Sequence, residues 1–212
     1  MKVLLLIITC SLALIPASPP KNMGIFRFAA DIGKPAVKGS SSFDEKTNTY
    51  HLKGGGYNIW FDRDEFHYCY DSLQGDFKLT ARLTLLGNGK NAHRKIGWMA
   101  RESGRDNAAH ISATLHGDGL TVLQWRRMQG DSMRDPEDEI FYPHKNVERL
   151  QLERKGNLFI MRAAGPGEAL QLVGQHEMPG WKKTILAGLF ICSHDANTME
   201  EGTASGVEVS RP

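Results

Sequence analysis

Between Ile96 and Met128 the chain repeatedly sets a polar side chain beside an apolar one, and the polar set is rich in hydrogen-bonding groups. In 107–116, Ala109, Ile111, Ala113 and Leu115 share one phase, and His110, Ser112, Thr114 and His116 share the other. In 120–128, Val122, Gln124 and Arg126 oppose Thr121, Leu123 and Trp125; in 96–102, Ile96, Trp98 and Ala100 alternate with Gly97, Met99 and Arg101. Successive residues of a strand point to opposite faces. The alternation therefore collects Arg101, His110, Ser112, Thr114, Gln124 and Arg126 on one sheet face, with His67 and His194 expected at its rim. Arginine presents a planar fork of donors suited to sugar hydroxyls or a uronate carboxylate. These residues form the expected ligand-binding set. Arg101 and Arg126 are expected to converge there, and Arg101, out of phase with Trp98 and Ala100, is expected to lie outside the core.

Other chemistries leave fainter marks. A glycosidase needs two carboxylates flanking one sugar, about 5 Å apart if retaining and wider if inverting. Asp62, Asp64 and Glu65, and Asp135, Glu137, Asp138 and Glu139, fall in segments that read as loops, where solvated charge is the ordinary state. Glu102, at a strand end beside Arg101, is the best single acid. The histidines at 67, 110, 116, 176 and 194 are scattered, and the cysteine count and spacing exclude structural zinc. Asp195 with Asn197, or Asp62 with Asp64, offer oxygen donors for calcium, although such side chains also bond their own turns. Ser103, Ser112 and Ser193 lack the Gly-x-Ser-x-Gly elbow of a nucleophile. Gly54-Gly55-Gly56 has no helix after it and reads as a bulge or tight turn.

The elements that must position these groups are short strands. They are expected near 25–30, 48–53, 57–61, 65–71, 76–86, 93–101, 107–116, 120–128, 138–142, 147–154, 157–163, 168–175, 184–192 and 204–209. That spacing, with no sustained helical period, predicts an all-β, two-sheet antiparallel β-sandwich or a barrel. Asp118-Gly119 predicts a type I′ hairpin turn, in which both central residues take positive φ. Gly87-Asn88-Gly89 and Lys155-Gly156-Asn157 predict two more hairpins, and 131–139 is a polar, acidic insertion. Lys2, the apolar run Val3 to Ile15 and the small residues Ala17 and Ser18 predict a signal peptide over 1–17, leaving one domain over 18–212. The run falls short of the roughly 20 residues of a spanning helix. The net charge of +2, with no basic stripe, argues against nucleic acid. Beyond the leader stand Cys69 and Cys192, which an oxidising compartment joins or a strand-rich core keeps as buried thiols.

The runs Gly54-Gly55-Gly56-Tyr57-Asn58-Ile59-Trp60, Phe66-His67-Tyr68-Cys69-Tyr70, Gly75-Asp76-Phe77-Lys78-Leu79-Thr80-Ala81-Arg82, Gly97-Trp98-Met99-Ala100-Arg101-Glu102-Ser103 and His116-Gly117-Asp118-Gly119-Leu120 together resemble a family of bacterial secreted concanavalin A-like jelly-roll domains. Ala187-Gly188-Leu189-Phe190 and Cys192-Ser193-His194 extend the resemblance, which runs from about Asp31 to Val209. Such domains occur alone and fused to TolB-like propellers or glycan-degrading enzymes. The resemblance implies two packed antiparallel sheets, one of them concave, in a superfamily that includes lectins, laminin G-like modules, carbohydrate-binding modules and glucanases. Lectin and laminin G-like relatives often bind calcium. The glucanases often carry Glu-x-Asp-x-x-Glu on one strand, a motif this chain lacks.

The reading that follows is a secreted or periplasmic carbohydrate-binding module, a monomer or weak oligomer with a glycan partner. It needs no cofactor unless calcium, engages no nucleic acid, and has no membrane span in the mature chain. The competing class is a glycoside hydrolase or lyase using Glu102 and a histidine in catalytic roles. A third is a structural or partner-binding module of the cell envelope. Of the aromatic residues, Tyr57, Trp60, Tyr68, Trp98, Trp125 and Trp181 are stacking candidates, with Trp98 and Trp125 expected in the core.

Overall fold

Strands whose apolar residues recur every second position must bury one face, and here two sheets bury theirs against each other. The structure, a computed structural model, describes residues 22–211; the expected signal peptide lies outside the described residues. One seven-stranded sheet runs β1 (Phe28–Ile32), β6 (Phe66–Gln74), β15 (Thr184–Cys192), β8 (Lys95–Arg101), β9 (His110–His116), β10 (Thr121–Arg126) and β11 (Glu139–Tyr142). The other runs β14 (Gln171–Glu177), β13 (Leu158–Ala164), β12 (Arg149–Lys155), β7 (Phe77–Leu85), β16 (Asp195–Ser210), β3 (Thr49–Gly56) and β2 (Ser40–Asp44). Two short strands, β4 (Ile59–Trp60) and β5 (Arg63–Asp64), pair as a separate hairpin. Every pairing is antiparallel, and the architecture is a jelly-roll β-sandwich.

The main core lies between the sheets. Ile96, Trp98, Ile111, Ala113, Leu123, Trp125 and Leu189 meet Leu52, Leu79, Leu150, Leu152 and Met161 from the other side. Each large side chain buried this way contributes roughly 1.5–3 kcal/mol. The strand alternation read from sequence gives these faces correctly. A second, smaller cluster of Ile32, Ile59, Phe66, Tyr68, Met99, Phe190 and Cys192 occupies the outer face of the first sheet. It exists because the β4–β5 hairpin folds over that face and brings Ile59 down onto it.

Several local expectations are corrected. The edge strand β2 and the first half of β16 were not marked by the sequence, since their serines, threonines and acids carry little apolar pattern. Gly87-Asn88-Gly89 closes no hairpin, because β7 and β8 belong to different sheets. At Asp118-Gly119 only the glycine has positive φ (+86°). The turn spans 117–119: the Gly119 amide donates to the His116 carbonyl at 3.1 Å, and the Asp118 carboxylate accepts from the Leu120 amide at 3.0 Å. That is a type I turn closed by one left-handed residue. Gly56 (φ +117°) is required by close approach, since a Cβ there would come within 1.9 Å of the Glu65 carbonyl oxygen. Cys69 and Cys192 are free and sit on opposite faces of the first sheet, in the main and the smaller cluster respectively. Burial pushes their thiols up to about 12 and about 11.

Candidate functional site

The register across the first sheet lays the polar residues out in rows. Arg101 is opposite His110, and His110 is opposite Arg126; Met99, Ser112, Gln124 and Glu139 form the next row, and Lys95 faces His116 at the far end. The arginine end is closed. Asp64, carried in by β5, meets both guanidinium groups with no exposed side-chain surface on any of the three. Arg126 binds the carboxylate with two nitrogens, Nη1 to Oδ2 at 2.8 Å and Nη2 to Oδ1 at 2.6 Å, while Arg101 Nη1 donates to Oδ2 at 3.2 Å. Two cations on one anion leave a positive excess, which backbone carbonyls absorb. Arg101 donates to the carbonyls of Ser103 and Arg105, and Arg126 to those of Phe61, Ala108 and Asp131. Burial and the two arginines hold His110 well below the usual imidazole range, and its Nε2 lies 3.9 Å from Asp64.

The two arginines thus converge, as their phase implied, but what they hold is a residue of this chain. Arg101, His110, Ser112, Thr114 and Arg126 are all buried, at 0–1% exposure, so the expectation of an open face with Arg101 outside the core is corrected. Ser112 accepts a hydrogen bond from Thr114 at 3.2 Å within this sealed layer. Of the expected ligand-binding set, Gln124 and His194 reach a cavity.

That cavity is a cleft of about 700 Å³ at the other end of the same face. It is roomier than the hollow of about 340 Å³ beside Phe77 and Arg154 on the second sheet. Tyr57, Trp60, Phe61 and Phe141 ring its mouth, with Phe61 49% and Phe141 48% exposed. Phe61 sits at the tip of the β4–β5 hairpin with φ +52°. A bulky side chain in that region is a strained, uncommon state. Tyr57 is covered on one ring face by Arg63, whose guanidinium carbon is 4.7 Å from the centroid.

The floor carries the reactive groups. Lys95 is 4% exposed and donates to Asn58 Oδ1 at 2.9 Å; burial draws its ammonium down from the ordinary value, against the pull of Cys192, Asp64 and Glu139. His116 is buried, with neither ring nitrogen in a hydrogen bond among the described residues, and burial together with Lys95, His93 and His194 holds it well below the imidazole range. His194, at φ +57°, is drawn down to about 4, chiefly by burial and then by Lys95 and His93. The His93 ring centroid lies 5.7 Å from that of His116 and 5.5 Å from that of His194. Opposite them, Glu139 is pushed up to about 7 by burial and by the carboxyl of Asp135 beside it. One wall therefore carries the Lys95 ammonium beside imidazoles, His116 and His194, that burial holds toward their neutral form, and the other carries a carboxyl that is half protonated near neutrality.

The remaining expected residues sit elsewhere. His67 is bolted between Asp31 (Nδ1 to Oδ1, 2.8 Å) and Ser41 (Nε2 to Oγ, 2.9 Å), tying β1 and β6 of one sheet to β2 of the other. The chain of serine, imidazole and carboxylate has the distances of a nucleophile, base and orienting acid. Ser41 and His67 are, however, 7% and 4% exposed, and none of the described cavities is lined by any of the three. Glu102 is half-buried just past the sealed end, outside the cleft. Asp195 accepts from the Asn197 amide at 2.9 Å and pairs with Lys90 at 2.8 Å, the self-capping use of such residues. Asp62 is exposed in the hairpin turn, and no group of three or more potential metal ligands is gathered among the described residues.

Lys95, Asn58, Phe61 and Phe141 were not singled out by sequence, and Glu139 was named only within a cluster of acids read as solvated loop charge. One signal was available: Lys95 has the phase of Arg101, and His116 the phase of His110, so both belong to the polar face. Nothing in the pattern marked which end of that face the hairpin would cover.

The fold and site define a class: an antiparallel jelly-roll sandwich with a cleft on the outer face of one sheet. No family model matches the chain, and no curated protein matches it in sequence. Among solved structures the chain is similar to a functionally unknown protein from Saccharomyces cerevisiae, with TM-score 0.63 and 16% identity over 87% of this chain and 96% of that one. It is also similar to the carbohydrate-binding module CBM66 from Bacillus subtilis, with TM-score 0.50 and 12% identity over 86% of this chain and 95% of that one. A third is a family 7 alginate lyase, A1-II′, with TM-score 0.52 and 10% identity over 81% of this chain and 83% of that one. At these identities the likeness is one of fold.

Proposed function

We propose that the protein is a secreted carbohydrate-binding module and that the cleft beside the β4–β5 hairpin receives the glycan. The observation that carries this reading is the cleft's composition. Exposed rings stand at its mouth, and Lys95, Asn58, Gln124 and the histidines supply hydrogen-bonding groups below. Sugar sites combine apolar stacking surfaces with a few fixed polar groups in a cavity of about this size, roughly 300–1,000 Å³. Phe61 supports the reading independently: a strained backbone holds a large ring in solvent, where burial cannot be its purpose. The fold shared with a carbohydrate-binding module and a polysaccharide lyase agrees with it. The test is a glycan array on the full chain, then calorimetry of the best binder against wild type and Phe61→Gly. Glycine relieves the positive φ, so the fold is expected to hold while affinity falls about fivefold or more, near 1 kcal/mol. An array without binders, or equal affinities, rejects the proposal.

A hydrolase reading has one observation in its favour, the acid poised at Glu139. Its partner Asp135 lies within hydrogen-bonding reach, closer than the roughly 5 Å that a glycosidase keeps between its carboxyls. Binding is accordingly favoured over cleavage. Release of new reducing ends by wild type, lost in Glu139→Gln, would reverse that order.

A further inference from the structure

We propose that the Lys95 end of the cleft, where the imidazoles of His93, His116 and His194 gather around one ammonium, is an anion subsite that takes the carboxylate or sulfate group of an acidic sugar. The inference rests on the glycan reading above and names the chemistry of the ligand. It begins with unused donors. An ammonium offers three hydrogens, and Lys95 spends one on Asn58 while taking part in no ion pair among the described residues. Asn58 Oδ1 is shared, accepting also from the Ile59 amide at 2.8 Å. His116 has no partner at either ring nitrogen, and His194 has none at Nδ1. Buried polar groups in folded proteins are nearly always satisfied, and exceptions call for a cause. A ligand at this spot would supply one.

The sign of that ligand follows from the surroundings. The Lys95 ammonium is the charge of this end, and after burial it is the largest influence lowering the proton affinity of both His116 and His194. A metal cation would face the Lys95 ammonium at close range, whereas an anion would be welcomed by every group there. The carboxyls of Asp135 and Glu139 line the cleft on the Gln124 side, and Glu139 and Asp64, the latter beneath the hairpin, are the carboxylates that act on Lys95. Glu139 carries only part of its charge near neutrality. The arrangement therefore orients a sugar: acidic substituent toward Lys95 and His116, hydroxyls toward Gln124 and Glu139, ring against the aromatic mouth.

The contrast with the sealed end strengthens the assignment. There the same sheet face gathers cations, and the chain provides Asp64 to meet them. At the open end the Lys95 ammonium meets no carboxylate among the described residues, and whereas His110 at the sealed end is also without partners but lines none of the described cavities, His116 lines the cleft.

The experiment is calorimetry on the full chain with three oligosaccharides of equal length: an oligouronate, a sulfated galactan fragment and an uncharged glucan fragment. Either acidic ligand is expected to bind at least tenfold tighter than the neutral one, and the comparison between them separates carboxylate from sulfate. Binding is expected to take up protons, read as a heat that depends on the buffer's ionisation enthalpy, because an anion raises the pKa of Lys95, His116, His194 and Glu139 alike. In Lys95→Met the acidic and neutral affinities should converge. His116→Gln, which keeps the size and a neutral side chain, should narrow the gap threefold or more and serves if the first variant does not fold. Tight neutral binding with no acidic preference overturns the subsite alone. Absence of binding by all three overturns the subsite and the glycan reading together.

Discussion

The two ends of the polar face on the first sheet are built from the same strands and nearly the same residue types, yet one is a finished ion cluster and the other is a cleft. At the Arg101 and Arg126 end, β5 delivers Asp64, and ten hydrogen bonds to carboxylate and carbonyl oxygens dispose of the guanidinium donors, three from Arg101 and seven from Arg126. At the Lys95 and His116 end, the hairpin supplies only the Asn58 side chain; His110 and His116 both have ring nitrogens without partners, but those of His116 adjoin the cleft. The difference teaches that polarity on a sheet face does not by itself mark a site. What distinguishes a site is polarity that the rest of the chain leaves unanswered next to open space.

The comparison can be broken first at Asp64. Asp64→Asn removes the counter-charge of two fully buried arginines, and an uncompensated buried charge costs about 3–5 kcal/mol. Chemical denaturation should show a loss of that order; a loss below about 1 kcal/mol would mean the sealed end is not sealed. Arg101→Ala should also destabilise, by about 2–4 kcal/mol, since it leaves a void in the layer and takes one partner from Asp64. This inverts the expectation drawn from its strand phase.

A pH series sharpens the contrast. His110, His116 and His194 titrate lower in the folded protein than their ordinary value of 6.5, so the stability tied to their neutral form is complete above that pH and is lost as the pH falls. Glu139 titrates higher than its ordinary value, 4.5 against about 7, so its contribution is complete below 4.5 and is lost as the pH rises through 7. Melting temperature followed from pH 4 to 8 should therefore respond on opposite limbs. His116→Gln should flatten the acid limb, and Glu139→Gln should raise stability at pH 8 while leaving pH 4 unchanged. Both variants changing the same limb would refute the opposed signs.

The smallest expected effect is the most telling. Lys95→Met removes a buried ammonium that has one hydrogen bond, and Asn58 retains its bond from the Ile59 amide. Exchanging such a desolvated charge for an apolar side chain of similar length should change stability by less than about 1 kcal/mol, or raise it. A loss of 3 kcal/mol, as at Asp64, would make Lys95 a structural cation and erase the distinction between the two ends.

Much of this was legible in the chain. The alternation in 96–126 placed Ile96, Trp98, Ile111, Ala113, Leu123 and Trp125 toward the core and Arg101, His110, Ser112, Thr114, Gln124 and Arg126 away from it, because a strand's two faces are fixed by a period of two. The same alternation could not show that a second layer lies over the polar face. Asp64 and Glu65 read as solvated loop acids because the two-residue strands of the hairpin are too short to carry a pattern. Gly54-Gly55-Gly56 read as a bulge or tight turn, whereas the three glycines end β3 and Gly56 answers to a close approach by the carbonyl of Glu65, at the root of that hairpin.

By itself, then, the sequence determined the all-β class, the strand phases and the turn at Gly119, since each depends on neighbours within a few residues. Only the tertiary structure decided that Asp64, some forty to sixty residues from its arginines in the chain, would neutralise one end of the face. It also decided that Cys69 and Cys192 would lie on opposite sides of a sheet, and that Lys95, His116, His194 and Glu139 would share a cleft. The physical reason is that burial and charge compensation depend on what folds over a surface, and a hairpin's landing place is set by long-range packing of Ile59, Phe66 and Phe190, which no local period encodes.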